Sequence, residues 1–216
     1  MHRPKGYASA LCAPDGFSFM NSPTSKKRVY AFFDGQNIYR LALEIWGEKY
    51  NWPNYNPRKL ARHVTKLEPD RELVKLFFYT GVPREDQNKH WHTFWTNKLR
   101  HLEKHDVIVF RGHINQAGKE KGTDVCLALD LYEYAWRKEY DVGIIFSQDM
   151  DFQYAVERVK KISEEINHPI TLESAYPYDS QKSVFHHGIK GTRPRPIQEG
   201  IYSKFIDGSD YLKVGS

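Results

Sequence analysis

Short apolar runs rich in Val, Ile and Phe alternate along this chain with longer stretches of helical spacing, and this alternation constrains the fold most. The runs are mostly apolar throughout rather than at every second residue, which is typical of strands covered on both faces. They are RVYAFF (28–33), LVKLFFYT (73–80), VIVFRG (107–112), VGIIFS (142–147) and ITLESA (170–175). The alternation predicts an α/β fold, a doubly wound parallel sheet of about five strands flanked by helices.

The stretches between these runs carry apolar residues at the spacing of a helix. One stripe at positions i, i+3, i+4 and i+7 is formed by Ile38, Leu41, Ala42 and Ile45. Pro57 is suited to begin a second helix, because the fixed φ of proline fits the first helical turn. Further helices are predicted over 87–105, 123–138 and 151–166.

The composition is that of a chain that folds around a core, since 40% of the 216 residues are hydrophobic and 14% are aromatic. We expect a flexible N-terminal arm over 1–27, because this stretch is rich in Pro, Gly and Ser and has no apolar period. One domain is expected over 28–177. The remainder, 178–216, is expected to be an extension with a basic loop and a final stretch that could add an edge strand. Translation could begin at Met1 or at Met20.

Charge and cysteine content restrict partners and compartment. No apolar run reaches the 18 residues of a membrane helix, so no transmembrane segment is expected. Cys12 and Cys126 lie far apart and lack the spacing of a zinc site or a disulfide scaffold, which favours a reducing cytoplasm. The net charge of +5 is compatible with a polyanionic partner but does not require one. The sequence leaves a homo-oligomer open.

Acidic residues occur directly after predicted strands. Asp34 and Asn37 follow the first strand, Asp124 begins the helix after the third, and Asp149 and Asp151 follow the fourth. In doubly wound sheets, ligands bind beyond the carboxyl ends of the strands, where the strand order reverses. We therefore expect these side chains to share one rim of the sheet.

Two explanations compete for these residues. Taken singly, each is well explained as a helix cap or as a first-turn carboxylate that favours the helix dipole. A cap needs one oxygen per helix, however, and two aspartates follow the fourth strand. Two carboxylates 4 Å apart repel by about 4 kcal/mol at an effective dielectric of 20, and a bound cation relieves that repulsion. Oxygen ligands without Cys or His favour Mg²⁺ or Mn²⁺.

Three motifs in this order, FFDGQN, KGTDVCLALD and SQDMDF, resemble the NYN domain family, also described as LabA-like, within the PIN-like nuclease superfamily. The resemblance covers roughly 28–177 and implies a Mg²⁺- or Mn²⁺-dependent ribonuclease. The residues that it implies as metal ligands and catalytic carboxylates are Asp34, Asp124, Asp149 and Asp151. It also implies Asn37 as their catalytic companion, Lys121 as a phosphate contact and Ser147 as a hydrogen-bonding partner of the site. Asp130 fits the second motif too, but it lies about 240° around the helix from Asp124, so a structural role explains it equally well.

Further RNA contacts are predicted outside these motifs. Tyr39, near the acidic residues, is a candidate for stacking on a base. The basic stretch that contains Lys190, Arg193 and Arg195 is explained equally by an arm along an RNA backbone and by a solvated loop. The spacing of Trp91 and Trp95 favours core positions over base stacking.

The leading hypothesis is a metal-dependent ribonuclease that hydrolyses phosphodiester bonds of single-stranded or structured RNA. The alternative is a non-catalytic RNA-binding or regulatory module with the same fold. A phosphatase of the aspartyl-phosphate type is a third reading. It requires Asp-x-Asp after the first strand, and Gln36 at the second Asp position counts against it.

Overall fold

The computed structural model describes residues 25–114, 120–183 and 187–213, so most of the predicted N-terminal arm lies outside the described residues. The strands are β1 (Lys27–Asp34), β2 (Arg71–Val82), β3 (Ile108–Ile114), β4 (Glu120–Lys121), β5 (Val142–Phe146), β6 (Thr171–Pro177) and β7 (Arg193–Ile197). The α-helices are α1 (Gly35–Trp46), α2 (Pro57–Thr65), α3 (Lys89–Glu103), α4 (Thr123–Trp136), α5 (Gln153–Glu165) and α6 (Glu199–Tyr202). Short 3-10 turns occur at Glu48–Tyr50, Met150–Phe152 and Ser203–Phe205.

The strands form one sheet in the order β4-β3-β2-β1-β5-β6-β7. Every neighbouring pair is parallel except β3 and β4, so six parallel strands carry a two-residue antiparallel strand at one edge. The strand order runs outward from β1 in both directions, and the reversal lies between β1 and β5. The predicted doubly wound α/β class is confirmed.

Both faces of the sheet are covered by helices, which explains why the strand sequences are apolar throughout. On β1, Val29, Ala31 and Phe33 pack with residues of α1, α2 and α3. The alternate residues Tyr30 and Phe32 pack with residues of α4 and α5. None of the helices in the described ranges is long and apolar enough to cross a membrane.

The C-terminal region differs from its predicted structure. The added strand is β7, within the stretch predicted as a basic loop, and it pairs in parallel with β6. Its sequence, RPRPI, is compatible with an edge strand because an edge needs backbone donors on one side only, so alternate prolines are tolerated. In the final stretch, for which an added edge strand is one expectation, the described residues form the end of α6 and a 3-10 turn, with an isolated bridge between Tyr55 and Ile206.

Two glycines fix the backbone where chain segments enter the helices of the rim. A Cβ atom at Gly35, the first residue of α1, would lie 2.6 Å from Cζ of Phe78. Gly122, directly before α4, has φ +88°, a conformation that side chains disfavour. Gly35 allows α1 to begin directly after Asp34, and Gly122 allows α4 to begin one residue before Asp124.

Candidate functional site

Asp34 ends β1 and caps α1, and its two oxygens have different partners. Oδ1 accepts a hydrogen bond from the Asn37 backbone N–H at 3.0 Å, while the Ser147 hydroxyl donates to Oδ2 at 3.4 Å. The Asn37 side chain in turn accepts from the Gln148 backbone N–H at 3.0 Å. The chain segments that leave β1 and β5 are therefore joined by side chains of the predicted site.

Asp149 caps the 3-10 turn that leads into α5. Its Oδ1 accepts from the Asp151 backbone N–H at 2.9 Å, and its own N–H donates to Oγ of Ser147 at 3.1 Å. Ser147 is fully buried, so its hydroxyl orients the two neighbouring aspartates from below the rim. The capping explanation thus holds for one oxygen of Asp34 and one of Asp149.

Capping does not account for Asp124 and Asp151. The N-cap of α4 is Gly122 and that of α5 is Phe152, and neither helix has a side-chain cap. The pKa of Asp124 is raised by burial of its carboxyl group and by the negative charges of Asp149 and Asp151. The charges of Asp149 and Asp151 thus act on the Asp124 carboxyl group, and Ser147 links Asp34 to Asp149 through hydrogen bonds. We call these four aspartates the acidic rim.

The donor chemistry of the acidic rim fits a hard divalent cation, although its geometry is open. Within the described part of the chain, no group of three or more His, Cys, Asp or Glu side chains is arranged to hold a metal ion. Mg²⁺ is typically bound through one or two carboxylates, with waters and substrate phosphates as its other ligands. The rim has the oxygen ligands and the excess negative charge for such a site, without a closed protein cage.

The other predicted contacts occupy different surroundings. Lys121 is exposed at the end of β4, directly before Gly122 and close in sequence to Asp124. Tyr39 is half-buried, and its hydroxyl donates to the Asn51 carbonyl at 2.9 Å. Lys190 is exposed in the segment before β7. Arg193 is also exposed, with its guanidinium 3.2 Å from Glu68.

Arg195, which is predicted to contact RNA, lies in a network of ion pairs in the structure. Its guanidinium donates to Glu173 at 2.7 and 2.8 Å and to Glu68 at 2.7 Å. Its side chain is only 11% exposed. Glu68 precedes β2, so this arginine is tied toward the amino end of the sheet, away from Asp34. Ion pairs of this kind hold structure, and here they engage Nε and Nη2 of Arg195.

Residues near the motifs have structural partners as well. Asp130 accepts a hydrogen bond from the Tyr79 hydroxyl at 2.6 Å, which is a contact with the sheet. Trp95 is buried and Trp91 packs against the same core, in agreement with their predicted core positions.

Both tryptophans also line a cleft that the sequence did not predict. The cleft has a volume of about 590 Å³. It is lined by Gln36, Tyr39, Arg40, Pro53, Pro83, Gln87, Asn88, Trp91, Trp95 and Ile114. Its walls come from segments far apart in the chain, so no local motif marks it. The one sequence feature that could have pointed to this cleft is the i, i+4 spacing of Gln36 and Arg40 on α1. In the structure the Arg40 guanidinium donates a hydrogen bond to the Gln36 side chain at 2.8 Å.

Comparison with known proteins bears on the family of the chain. Residues 28–172 match the model of the NYN domain. The Low amplitude and bright protein LabA of Synechococcus elongatus is 23% identical over 141 residues, which cover 62% of this chain and 68% of LabA. A solved protein of unknown function from Vibrio parahaemolyticus shares the fold, with a TM-score of 0.52 and 19% identity over 83% of this chain and 98% of that one. Because the family match spans more than half of the sequence and includes all three motifs, this chain belongs to the NYN domain family.

Proposed function

We propose that this protein is a metal-dependent ribonuclease that hydrolyses RNA phosphodiester bonds at the acidic rim. NYN domains are generally PIN-like nucleases, which supports chemistry on RNA for this chain. The observation that carries the proposal is the grouping of aspartates beside the reversal of strand order: Ser147 is hydrogen-bonded to both Asp34 and Asp149, and the charges of Asp149 and Asp151 raise the pKa of Asp124. That position is where doubly wound sheets bind ligands, and Asp124 and Asp151 do not cap a helix through their side chains.

The residues around the rim have distinct proposed roles. Mg²⁺ or Mn²⁺ held by the aspartates would polarise the scissile phosphate and lower the pKa of an attacking water. Ser147 and Asn37 hold Asp34 and the segment after β5 in place through the hydrogen bonds described above. Lys121 is proposed to contact a phosphate beside the rim. Lys190 and Arg193, both exposed, are the remaining candidates for contacts along the RNA backbone.

RNA, single-stranded or structured, is the proposed partner, and the cytoplasm is the proposed compartment. The net charge of +5 favours association with a polyanion. The two cysteines lack the spacing of a disulfide scaffold, which fits a reducing compartment.

One observation favours a second candidate, an RNA-binding module without turnover. The described residues contain no ready-made group of three metal-binding side chains. A domain that kept the fold and the RNA surface but not productive metal binding would have such a site. The two candidates differ in metal-dependent cleavage rather than in RNA binding.

The test is cleavage of end-labelled single-stranded and hairpin RNAs in Mn²⁺, in Mg²⁺ and in EDTA. We expect cleavage that EDTA abolishes and that Asp149→Asn lowers by at least about 100-fold, because a rim carboxylate is lost. Asp70→Asn is the matched control, since Asp70 is paired with Lys27 at the start of β2, at the opposite end of the sheet.

RNA binding without cleavage in either metal, across all RNAs tested, would support the binding module instead. Equal cleavage by the wild type and Asp149→Asn would show that the acidic rim does not carry the reaction.

A further inference from the structure

We propose that the cleft beside the acidic rim, here called the base cleft, binds an unpaired nucleobase adjacent to the phosphate that is cleaved. This inference rests on the proposed function and narrows the substrate to RNA with an unpaired base at the cleavage site. The base cleft is the one lined by α1, by Trp91 and Trp95 of α3, and by the segments around Pro53 and Pro83.

The base cleft lies at the same edge of the sheet as the acidic rim. Asp34 is the N-cap of α1, and the cleft residues Gln36 and Arg40 lie in the first two turns of that helix. Six residues from Asp34 to Arg40 span about 9 Å along the helix axis. Pro83 follows β2, and Ile114 ends β3, so the cleft is on the β2 and β3 side of Asp34. An RNA strand at Asp34 can therefore reach both sites.

The shape and lining of the base cleft suit a flat aromatic ligand. Its volume of about 590 Å³ falls within the range of small-molecule pockets, about 300–1,000 Å³. Trp91 is half-buried and held against Trp52, with ring centroids 4.8 Å apart and planes at 34°. His90 and Phe94 also pack edge-on against Trp91, so the ring is fixed by its neighbours, and its remaining exposed surface is available to a base, as in proteins that bind single-stranded nucleic acid.

The polar groups of the base cleft are those that recognise bases in single-stranded RNA. The lining contains one cation, Arg40, together with side-chain amides at Gln36, Gln87 and Asn88, and no carboxylate. Arginine planes stack on unpaired bases, and amides hydrogen-bond to base edges. The base cleft is therefore neutral to basic, whereas the rim beside it is acidic. This difference in charge suits a base in the cleft and a cation with its phosphate at the rim.

Two hydrogen bonds hold the wall of the base cleft in place before any ligand arrives. The Pro53 carbonyl accepts from Nζ of Lys98, a wholly buried side chain, at 2.5 Å. The Tyr39 hydroxyl donates to the Asn51 carbonyl at 2.9 Å, which ties the same loop to α1. A site of this kind does not have to be ordered by its ligand, which is typical of small-molecule pockets.

The test measures binding in EDTA, so that it does not depend on cleavage. Fluorescence polarisation would compare a hairpin RNA carrying one bulged nucleotide with the same hairpin carrying an abasic nucleotide at the bulge. We expect the wild type to bind the base-containing RNA at least about 10-fold more tightly, because the base stacks on Trp91. Trp91→Ala should lose this preference and Trp91→Phe should keep part of it. Trp136→Ala, at the exposed end of α4, should keep all of it.

Thermal melts of each variant would show whether Trp91→Ala is folded. If Trp91→Ala does not fold, Trp91→Phe still tests the proposal, because it keeps an aromatic ring at this position. Adenosine and uridine monophosphates, with ribose 5-phosphate as the control without a base, test the other source of a nucleobase. Mononucleotides that bind as tightly as the hairpin would overturn the RNA proposal and make the base cleft a nucleotide site.

The outcomes separate this proposal from the proposed function. Loss of base preference in Trp91→Ala alone, with no RNA cleaved by the wild type in Mn²⁺, would support the base cleft while the nuclease proposal fails. Cleavage by a wild type that binds the two hairpins equally would overturn the base cleft and leave the nuclease proposal standing. An equal loss of preference in Trp136→Ala would also overturn it.

Discussion

Asp124 is the residue in which two electrostatic effects oppose each other. It lies in the first turn of α4, where a negative charge interacts favourably with the helix dipole. Burial of its carboxyl group and the charges of Asp149 and Asp151 nevertheless raise its pKa above 3.8. A raised folded-state pKa means that stability is greatest when Asp124 is protonated and declines as the pH rises through the folded pKa. At neutral pH without metal, the ionised carboxylate therefore destabilises the fold.

We predict that Asp124→Asn raises the melting temperature at pH 7 in EDTA by about 1–3 °C, because it removes a charge that is only partly buried but lies near other negative charges. The difference from the wild type should shrink as the pH falls below 3.8, where the Asp124 carboxyl group becomes neutral in both the folded and the unfolded state. Scanning calorimetry between pH 3 and pH 7 would measure both effects.

Asp70→Asn is a control in which the melting temperature is expected to change in the opposite direction. The pKa of Asp70 is lowered by its hydrogen bond with Lys27, so its charge contributes stability above about pH 3.8 and this variant should melt lower at neutral pH. A lower melting temperature for Asp124→Asn as well would show that the helix dipole outweighs the repulsion at the rim.

At the scale of secondary-structure elements, β2, β6 and β7 are tied together by one buried carboxylate. Glu173 of β6 is wholly buried and accepts from Arg71 of β2 at 3.0 Å and from Arg195 of β7 at 2.7 and 2.8 Å. Burial raises the pKa of Glu173, but the hydrogen bonds with Arg195 and Arg71 outweigh it and leave the pKa below 4.5. The stability that Glu173 contributes is therefore present above pH 4.5 and lost as the pH falls through the folded pKa.

We predict that Arg195→Ala lowers the free energy of unfolding by about 3–5 kcal/mol, because it leaves Glu173 partly unpaired in the interior. Urea denaturation at pH 7 would measure this loss. Arg193→Ala is the matched control from the same strand. Its side chain is 57% exposed, so the change should be below about 1 kcal/mol. Similar losses for the two variants would mean that the buried network contributes no more than a surface pair.

The same elements show what sequence could and could not predict. The strands of the central sheet were predictable because burial on both faces makes their sequences apolar throughout. β7 was not, because its prolines and arginines resemble a loop, and its edge position and buried ion pairs are tertiary properties. The residues of the acidic rim could be named from the sequence, because its aspartates follow strand ends or begin the next helix. The base cleft could not, because its lining comes from distant segments without a common motif.

At the scale of the whole molecule, the proposed metal binding would couple the acidic rim to the formation of the sheet. The aspartates come from the ends of β1 and β5 and from the start of α4, so they are brought together only when the sheet is formed. A divalent cation that needs this arrangement binds the folded state and not the unfolded chain. Mass action then stabilises the fold by about 2.7 kcal/mol at a hundredfold excess of ion over its Kd.

We predict that saturating Mn²⁺ raises the melting temperature of the wild type by about 5–10 °C, given 2–4 °C for each kcal/mol in a domain of this size. Asp149→Asn should shift less. Its asparagine oxygen can still accept the Asp151 N–H and cap the turn, so its metal-free stability should be close to that of the wild type. Asp70→Asn, altered at the opposite end of the sheet, should keep the full shift. Scanning calorimetry at increasing Mn²⁺ concentrations would measure these shifts in melting temperature. Equal shifts in all three proteins would mean that the ion binds away from the acidic rim.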